Sequence, residues 1–245
     1  MSEHRKWTIG YIAAFAVMLY FNYLSAANVS SVANDNQTII QPAGYAFSIW
    51  GIIYILLLIW LIRLFFEKTW EDSVVQKLRF WPIANFLLNG LWIVVFTQQL
   101  LIASVLVIGA VLFTLARMHV LLTEKGYRWF DRLPISVYYS WVTIATVVNV
   151  FTLIVSSGIG TLFGMGELPW TIIILMAATL IIAAIGLRFK DWLYPLIALW
   201  PFFAIYTKNE GAYASLDITL VVTSLLLIAI AVFVAVSKLR GQRTG

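Results

Sequence analysis

Eight long apolar runs constrain the fold of this chain more than any other feature. They extend over residues 8–27, 43–66, 81–97, 99–122, 133–157, 170–187, 192–207 and 215–237. A bilayer crossing takes about 20 apolar residues as a helix, or about 10 alternating residues as a barrel strand. Most of these runs are longer than a strand and none alternates. The sequence therefore predicts an all-α integral membrane protein with eight transmembrane helices.

The composition agrees with an exterior that contacts the lipid bilayer. Of the 245 residues, 62% are hydrophobic and only 11% are charged, whereas soluble domains carry about 25% charged residues. The net charge of +5 is therefore interpreted through its distribution along the chain, and we predict no nucleic-acid partner. The absence of cysteine excludes disulfides, thiolate metal sites and cysteine nucleophiles.

The basic residues fall almost entirely on one side of the predicted membrane. Fifteen of the 16 Lys and Arg residues lie at the two termini or near the connections after the second, fourth and sixth runs, and only Lys208 lies opposite. Because cytoplasmic loops are enriched in Lys and Arg, we predict a cell-membrane protein with both termini in the cytoplasm. An alternative is that residues 1–27 are a cleavable signal peptide, which would leave seven helices.

Side chains suited to catalysis are scarce within the apolar runs. Arg63, Arg117 and Asp217 lie near predicted helix ends, where they reach the membrane interface. The two histidines, His4 and His119, are too far apart in sequence to indicate a metal site. Proton relays and ion-coupled sites therefore lack the buried acids and bases that they require. We predict no catalytic residue, no bound metal and no enzymatic activity.

Aromatic and amide side chains form stripes on three predicted helices, because residues three or four apart share a helix face. The stripes contain Phe47, Trp50 and Tyr54 in the second helix, Asn85, Asn89, Trp92 and Phe96 in the third, and Tyr138, Trp141, Ala145 and Asn149 in the fifth. At about 1.5 Å per residue, members of all three stripes lie at a similar depth. In one interpretation the amides bond neighbouring helices and the rings pack. In the other, the stripes line a pocket for an aromatic or amphipathic ligand.

Three motifs with defined spacing lie within these stripes. Residues 88–96, LNGLWIVVF, follow the pattern Leu-Asn-x-x-Trp-x-x-x-Phe, and residues 138–149, YYSWVTIATVVN, follow Tyr-x-x-Trp-x-x-x-Ala-x-x-x-Asn. Residues 42–54, PAGYAFSIWGIIY, are similar to a proline-rich start of helix two, although Ala43 and Tyr45 replace a proline and a tryptophan. One residue is also missing between Phe47 and Trp50. Together the motifs resemble the tryptophan-rich sensory protein or translocator protein family (TspO/MBR), over about residues 8–157.

The resemblance implies a five-helix core at residues 1–157 and a three-helix extension at residues 158–245. In that family the matched positions line a pocket for porphyrins and other aromatic molecules, closed by the loop between helices one and two, here residues 28–42. All the stripe residues named above are therefore ligand-binding candidates. The implied function is a membrane sensor or receptor-like protein that binds a hydrophobic small molecule, such as a tetrapyrrole, with no further cofactor. A homodimer is implied as well.

Two other functions stay open. The chain is a transporter or permease for a small apolar or zwitterionic solute if residues 192–207, kinked at Pro195 and Pro201, act as a moving element. Alternatively, Trp50 or Trp141 assists the light-driven oxidation of a porphyrin. Sterol handling, which animal members suggest, is not implied, because no tyrosine followed by a basic residue comes soon after Asn149. A porphyrin carboxylate also finds no cation on the three stripes.

Overall fold

The computed structural model describes residues 3–35, 38–67, 70–123, 128–158, 161 and 163–243. This described part of the chain contains nine α-helices and a 3-10 helix at Gly44–Ser48. The α-helices are α1 Glu3–Asp35, α2 Ile49–Phe66, α3 Val74–Leu78, α4 Trp81–Thr97, α5 Leu101–Leu121, α6 Trp129–Ser156, α7 Glu167–Arg188, α8 Leu193–Asn209 and α9 Ala214–Arg243. They form two compact units, which are Met1–Asp35 with Ser48–Val142 and Asn36–Phe47 with Thr143–Gly245.

The long helices coincide with the apolar runs of the sequence. Six helical segments of the described chain are long and apolar enough to cross a membrane, and this confirms the prediction of an all-α, multi-pass membrane protein. The helices α4 and α8 have 17 residues each, which is at the short end of what spans a bilayer. The count of eight crossings and the cytoplasmic termini therefore stay predictions.

Two elements differ from the sequence prediction. A loop was predicted from residue 28, but helix α1 continues to Asp35, because residues 28–41 contain no glycine or proline that would interrupt it. The predicted loop before α4 contains the short helix α3, which begins where the Ser73 hydroxyl accepts a hydrogen bond from the Gln76 N–H at 3.1 Å.

In the first unit, α1 packs closely against α4. A Cβ atom added to Gly90 would lie 3.5 Å from the Cα atom of Met18, so the glycine of the LNGLW motif permits this approach. At the other end of α1, Tyr11 is fully buried and its hydroxyl donates to the carbonyl of Arg79 at 2.6 Å. The Tyr11 ring stacks on Trp60 with 6.5 Å between centroids. These contacts hold α1 against α2, against α4 and against Arg79, which precedes α4.

The second unit contains the end of α6 together with α7, α8 and α9. A Cβ atom on Gly186 would lie 3.2 Å from Cδ of Pro195, so α7 and α8 meet closely at their connection. Thr143 and Tyr194 join α6 to α8 by a hydrogen bond of 2.7 Å between their hydroxyl oxygens. Helix α8 continues through Pro201, and the kink expected there stays a prediction.

Candidate functional site

Trp50, the second residue of α2, is the centre of an aromatic cluster in the first unit. Its ring centroid lies 5.7 Å from Tyr54, 6.2 Å from Trp92, 5.6 Å from Tyr138 and 6.3 Å from Trp141. The rings of Tyr138 and Trp141 meet Trp50 edge to face, a geometry that aromatic pairs favour. The structure thus brings residues from all three predicted stripes together.

On α4, the cluster continues through a stacked pair and includes an unpaired polar group. The ring of Trp92 stacks on Phe96 with 5.4 Å between centroids. Trp92 is only 5% exposed, and its indole Nε1 has no hydrogen-bond partner among the residues that the structure describes. An indole N–H is a donor only, and a buried donor without an acceptor destabilises the protein. The position is therefore suited to a ligand that carries an acceptor.

The two amides of α4 serve helix packing. Asn85 is fully buried and its Nδ2 donates to the Thr114 hydroxyl of α5 at 2.7 Å. Asn89 is 1% exposed and its Oδ1 accepts from Nδ2 of Asn22 in α1 at 2.9 Å. An amide in an apolar interior needs such partners. For these side chains the interpretation as helix-to-helix bonds therefore describes what the structure shows.

Asn22 is a residue of this site that sequence reasoning missed. It lies in the first apolar run, where an amide is costly unless it is paired. A search for polar residues that could pair with Asn89 would have found it. The bond from Asn22 to Asn89 connects α1 directly to the helix that carries Trp92.

An ion pair joins the other end of α2 to the start of α6. The guanidinium of Arg63 contacts the carboxylate of Asp131, whose side chain is only 4% exposed. The same carboxylate accepts the Arg128 N–H at 3.1 Å, and thereby satisfies a donor at the start of α6. Arg63 was expected to reach the membrane interface, and in the structure its guanidinium is paired with the Asp131 carboxylate. Because α2 and α6 contact each other both here and at Trp50, the ion pair helps to set the geometry of the cluster.

Three predicted site residues belong to the second unit, namely Phe47, Ala145 and Asn149. Asn149 is 3% exposed, while Phe47 and Ala145 are half-buried. Their assignment to the ligand site stays a prediction. Within the described ranges, no three His, Cys, Asp or Glu side chains are grouped so as to hold a metal ion.

The second unit also contains an apolar groove of about 360 Å³ between α8 and α9. Leu199, Phe202 and Tyr206 line one side, and Leu220, Ser224 and Ile228 line the other. Its lining contains no charged residue. Such a surface suits hydrocarbon, and it lacks the buried unpaired donor of the Trp50 cluster.

A comparison with protein families agrees with the fold and with the motifs of the site. The chain matches the family described as TSPO-like protein over residues 7–237. No curated protein and no solved structure matches it. The chain is a multi-pass membrane protein and belongs to the TSPO-like family. The match continues past residue 157, where the resemblance of the motifs ends, and includes α7, α8 and most of α9.

Proposed function

We propose that the chain is a ligand-binding membrane sensor or receptor-like protein whose site is the Trp50 cluster. The observation that carries the proposal is the buried Trp92 Nε1–H, which has no partner within the described structure and lies among aromatic rings. Ligand sites combine apolar walls with a few polar groups that orient the ligand. The expected ligand is a flat aromatic or amphipathic molecule that carries a hydrogen-bond acceptor.

The charge of the ligand follows from the members of the cluster. Trp50, Tyr54, Trp92, Tyr138 and Trp141 are all uncharged near neutral pH. Burying a ligand carboxylate without a cation is costly, so a neutral ligand is preferred to an anionic one. A porphyrin ester is therefore expected to bind at least as tightly as the porphyrin acid.

The test is a titration of the full chain in lipid nanodiscs with protoporphyrin and with its dimethyl ester, each followed by its own absorbance band. We expect saturable binding of both, with the ester equal or tighter. In the triple variant Trp50→Phe, Trp92→Phe, Trp141→Phe, the affinity is expected to fall by about tenfold or more, because three large aromatic contacts with the ligand become smaller. The matched control makes the same change to Phe at Trp7, Trp129 and Trp170, three tryptophans near helix ends. Equal binding by the triple variant and by the control would refute the site.

The same preparation separates binding from transport and from catalysis. A sensor binds without translocating, so proteoliposomes should show no protein-dependent flux of the bound ligand. The cluster contains no carboxylate, histidine or lysine side chain, and we therefore expect no turnover. Illumination of bound protoporphyrin in air should leave the same spectrum as illumination in protein-free nanodiscs. Protein-dependent flux would favour a transporter, and a protein-dependent product spectrum would favour photo-oxidation.

We also propose eight crossings of the cell membrane with both termini in the cytoplasm, and a homodimer. The topology is supported by the agreement between the long helices and the apolar runs and by the basic residues, of which all but Lys208 lie on one predicted side. Because the chain has no cysteine, single cysteines can be labelled cleanly. In intact cells, an impermeant maleimide should label Glu210→Cys and not Glu71→Cys, and permeabilised cells should show both. The mass of the protein in detergent tests the dimer.

A further inference from the structure

Residues 38–47, which we call the strap, connect α1 to α2 and bond to the C-terminal helices. At the start of the strap, the carbonyl of Thr38 accepts from Nζ of Lys208 at 3.2 Å. The carbonyl of Ile39 accepts from Nδ2 of Asn209 at 3.0 Å. Both donors lie at the C-terminal end of α8, and all of these residues belong to the second unit.

A carboxylate completes this end of the strap. The N–H of Ile39 donates to Oε1 of Glu167, the first residue of α7. Lys208 and Glu167 thus hold neighbouring main-chain groups through side chains of opposite charge. Hydrogen bonds that involve a charged group are stronger than those between neutral groups.

The second half of the strap is bonded to α8 as well. The N–H of Ala43 donates to the carbonyl of Ala204 at 3.0 Å. The carbonyl of Ala46, which is fully buried, accepts from Nε1 of Trp200 at 2.9 Å. The strap is therefore held at both ends, and all five of these bonds go to its main chain. The side chains that hold it are supplied by α7 and α8.

Lys208 is also the exception in the charge distribution. It is the one basic residue that the predicted topology places opposite the other 15. A lysine on that side works against the usual bias, and its bond to the strap provides a structural reason for its presence.

The strap leads directly into the start of α2, where the Trp50 ring is packed but no side chain caps the helix. The N-cap residue, Ser48, makes no side-chain capping bond. The first N–H groups of a helix have no partners within that helix, so the start of α2 depends on the 3-10 helix Gly44–Ser48 before it. That 3-10 helix contains Ala46, which Trp200 holds. Trp50 follows as the second residue of α2.

We propose that the strap is a releasable clamp that controls the mobility of the first turn of α2. While α7 and α8 hold the strap, the backbone around Trp50 is fixed. When the strap is released, the first turn of α2 opens locally and Trp50 moves with it. The helices α7 and α8 thereby regulate the Trp50 cluster through the covalent chain. The functional consequence of release is faster ligand exchange, and this part of the proposal rests on the proposed ligand site.

Hydrogen exchange with mass spectrometry on the full chain in nanodiscs tests the clamp without any ligand. The double variant Lys208→Met, Asn209→Leu and the single variant Trp200→Phe remove donors to the strap. Exchange should become about tenfold faster in peptides that cover residues 38–47 and residues 49–54, as expected for the loss of one or two such bonds. Peptides from α4 should not change. If the double variant does not fold, Trp200→Phe decides the test, because it keeps an aromatic ring.

Two matched controls separate the clamp from general effects. Lys6→Met removes an exposed lysine that bonds Glu3 within α1 at 2.7 Å, and Trp129→Phe changes an exposed tryptophan. Neither should alter exchange in the strap. Unchanged exchange of residues 38–47 in the strap variants overturns the proposal, and so does faster exchange there with no change at residues 49–54.

The rate of protoporphyrin dissociation provides the functional measurement. It should rise several-fold in the strap variants and stay unchanged in both controls. A dissociation rate that does not respond to a loosened strap overturns the regulatory role while the ligand site stands. If the unmodified chain binds no protoporphyrin, the ligand proposal fails, and hydrogen exchange at residues 49–54 still decides the clamp.

Discussion

The Trp50 cluster and the strap are held in place by different kinds of interaction. The cluster holds three helices together through ring contacts between side chains, centred on Trp50. The strap is held mainly by hydrogen bonds to main-chain atoms, from side chains such as Lys208 and Asn209. Ring contacts within an apolar interior need no polar partners, whereas an irregular segment must have its backbone groups bonded. The cluster is therefore held by contacts among its own side chains, whereas the strap is held by side chains of α7 and α8.

The largest effect is expected from Trp50→Ala. The change removes the ring that contacts Tyr54, Trp92, Tyr138 and Trp141. Because Trp50 is half-buried, we expect the free energy of unfolding to fall by about 3 kcal/mol, the lower end for large aromatic truncations. Porphyrin binding should be lost. Unfolding by denaturing detergent in mixed micelles measures the stability. Trp129→Ala, at an exposed ring, should change it by less than about 0.5 kcal/mol, and equal losses in both variants would contradict a central role for Trp50.

A smaller effect, confined to binding, is expected from Trp92→Phe. The substitution keeps a ring against Phe96 and removes the unpaired Nε1–H. Stability should be unchanged or slightly higher, because an unsatisfied buried donor disappears. The affinity for protoporphyrin dimethyl ester should fall about tenfold, the value of one hydrogen bond to the ligand. An affinity that stays the same would show that the ligand does not use this donor.

Asn85→Leu should separate helix packing from ligand binding within the same helix. It removes the bond to Thr114, and interhelical hydrogen bonds in membranes contribute about 1 kcal/mol. We expect a loss of about that size in the free energy of unfolding. Ligand affinity should stay within about twofold of the unmodified chain, because the amide is already paired with α5. A large loss of affinity without a loss of stability would instead assign Asn85 to the pocket.

The smallest effect is expected from Tyr45→Phe in the strap. It removes one hydroxyl that bonds Thr207 at 2.8 Å, and Tyr45 is 43% exposed. Exposed bonds of this kind contribute less than about 0.5 kcal/mol. Exchange in residues 38–47 should rise by less than about threefold, well below the effect of Trp200→Phe. An equal effect of the two substitutions would mean that the strap is not held mainly through its backbone.

Several features of this molecule were predictable from residues close together in the sequence. The apolar runs predicted the positions of the long helices, because each run is long enough to satisfy its backbone within one helix. The motif spacings predicted the family, which the match over residues 7–237 confirms. Helical periodicity predicted which aromatic residues share a face, and the structure shows the rings of three helices meeting at Trp50. That these rings bind a ligand stays a prediction.

Other features were not predictable, because they depend on partners far away in sequence. Asn85 and Asn89 form similar parts of one stripe, yet one bonds Thr114 of α5 and the other bonds Asn22 of α1. Nothing in the local sequence around Arg63 indicates that Asp131 is its partner. The extension of α1 to Asp35 was missed because a polar sequence without glycine or proline fits a helix as well as a loop.

The sequence by itself determined that this chain lies in a membrane as helices. A backbone in lipid must have its polar groups hydrogen-bonded, and in apolar runs of this length a helix does so within the run. It also determined the family and the faces on which the aromatic residues lie. Only the tertiary structure decided which amides pair, that the Trp92 Nε1–H has no partner among the described residues, and which helices hold the strap. Those choices depend on contacts between residues far apart in sequence, from Asn85 with Thr114 to Thr38 with Lys208, and such contacts exist only once the helices have packed.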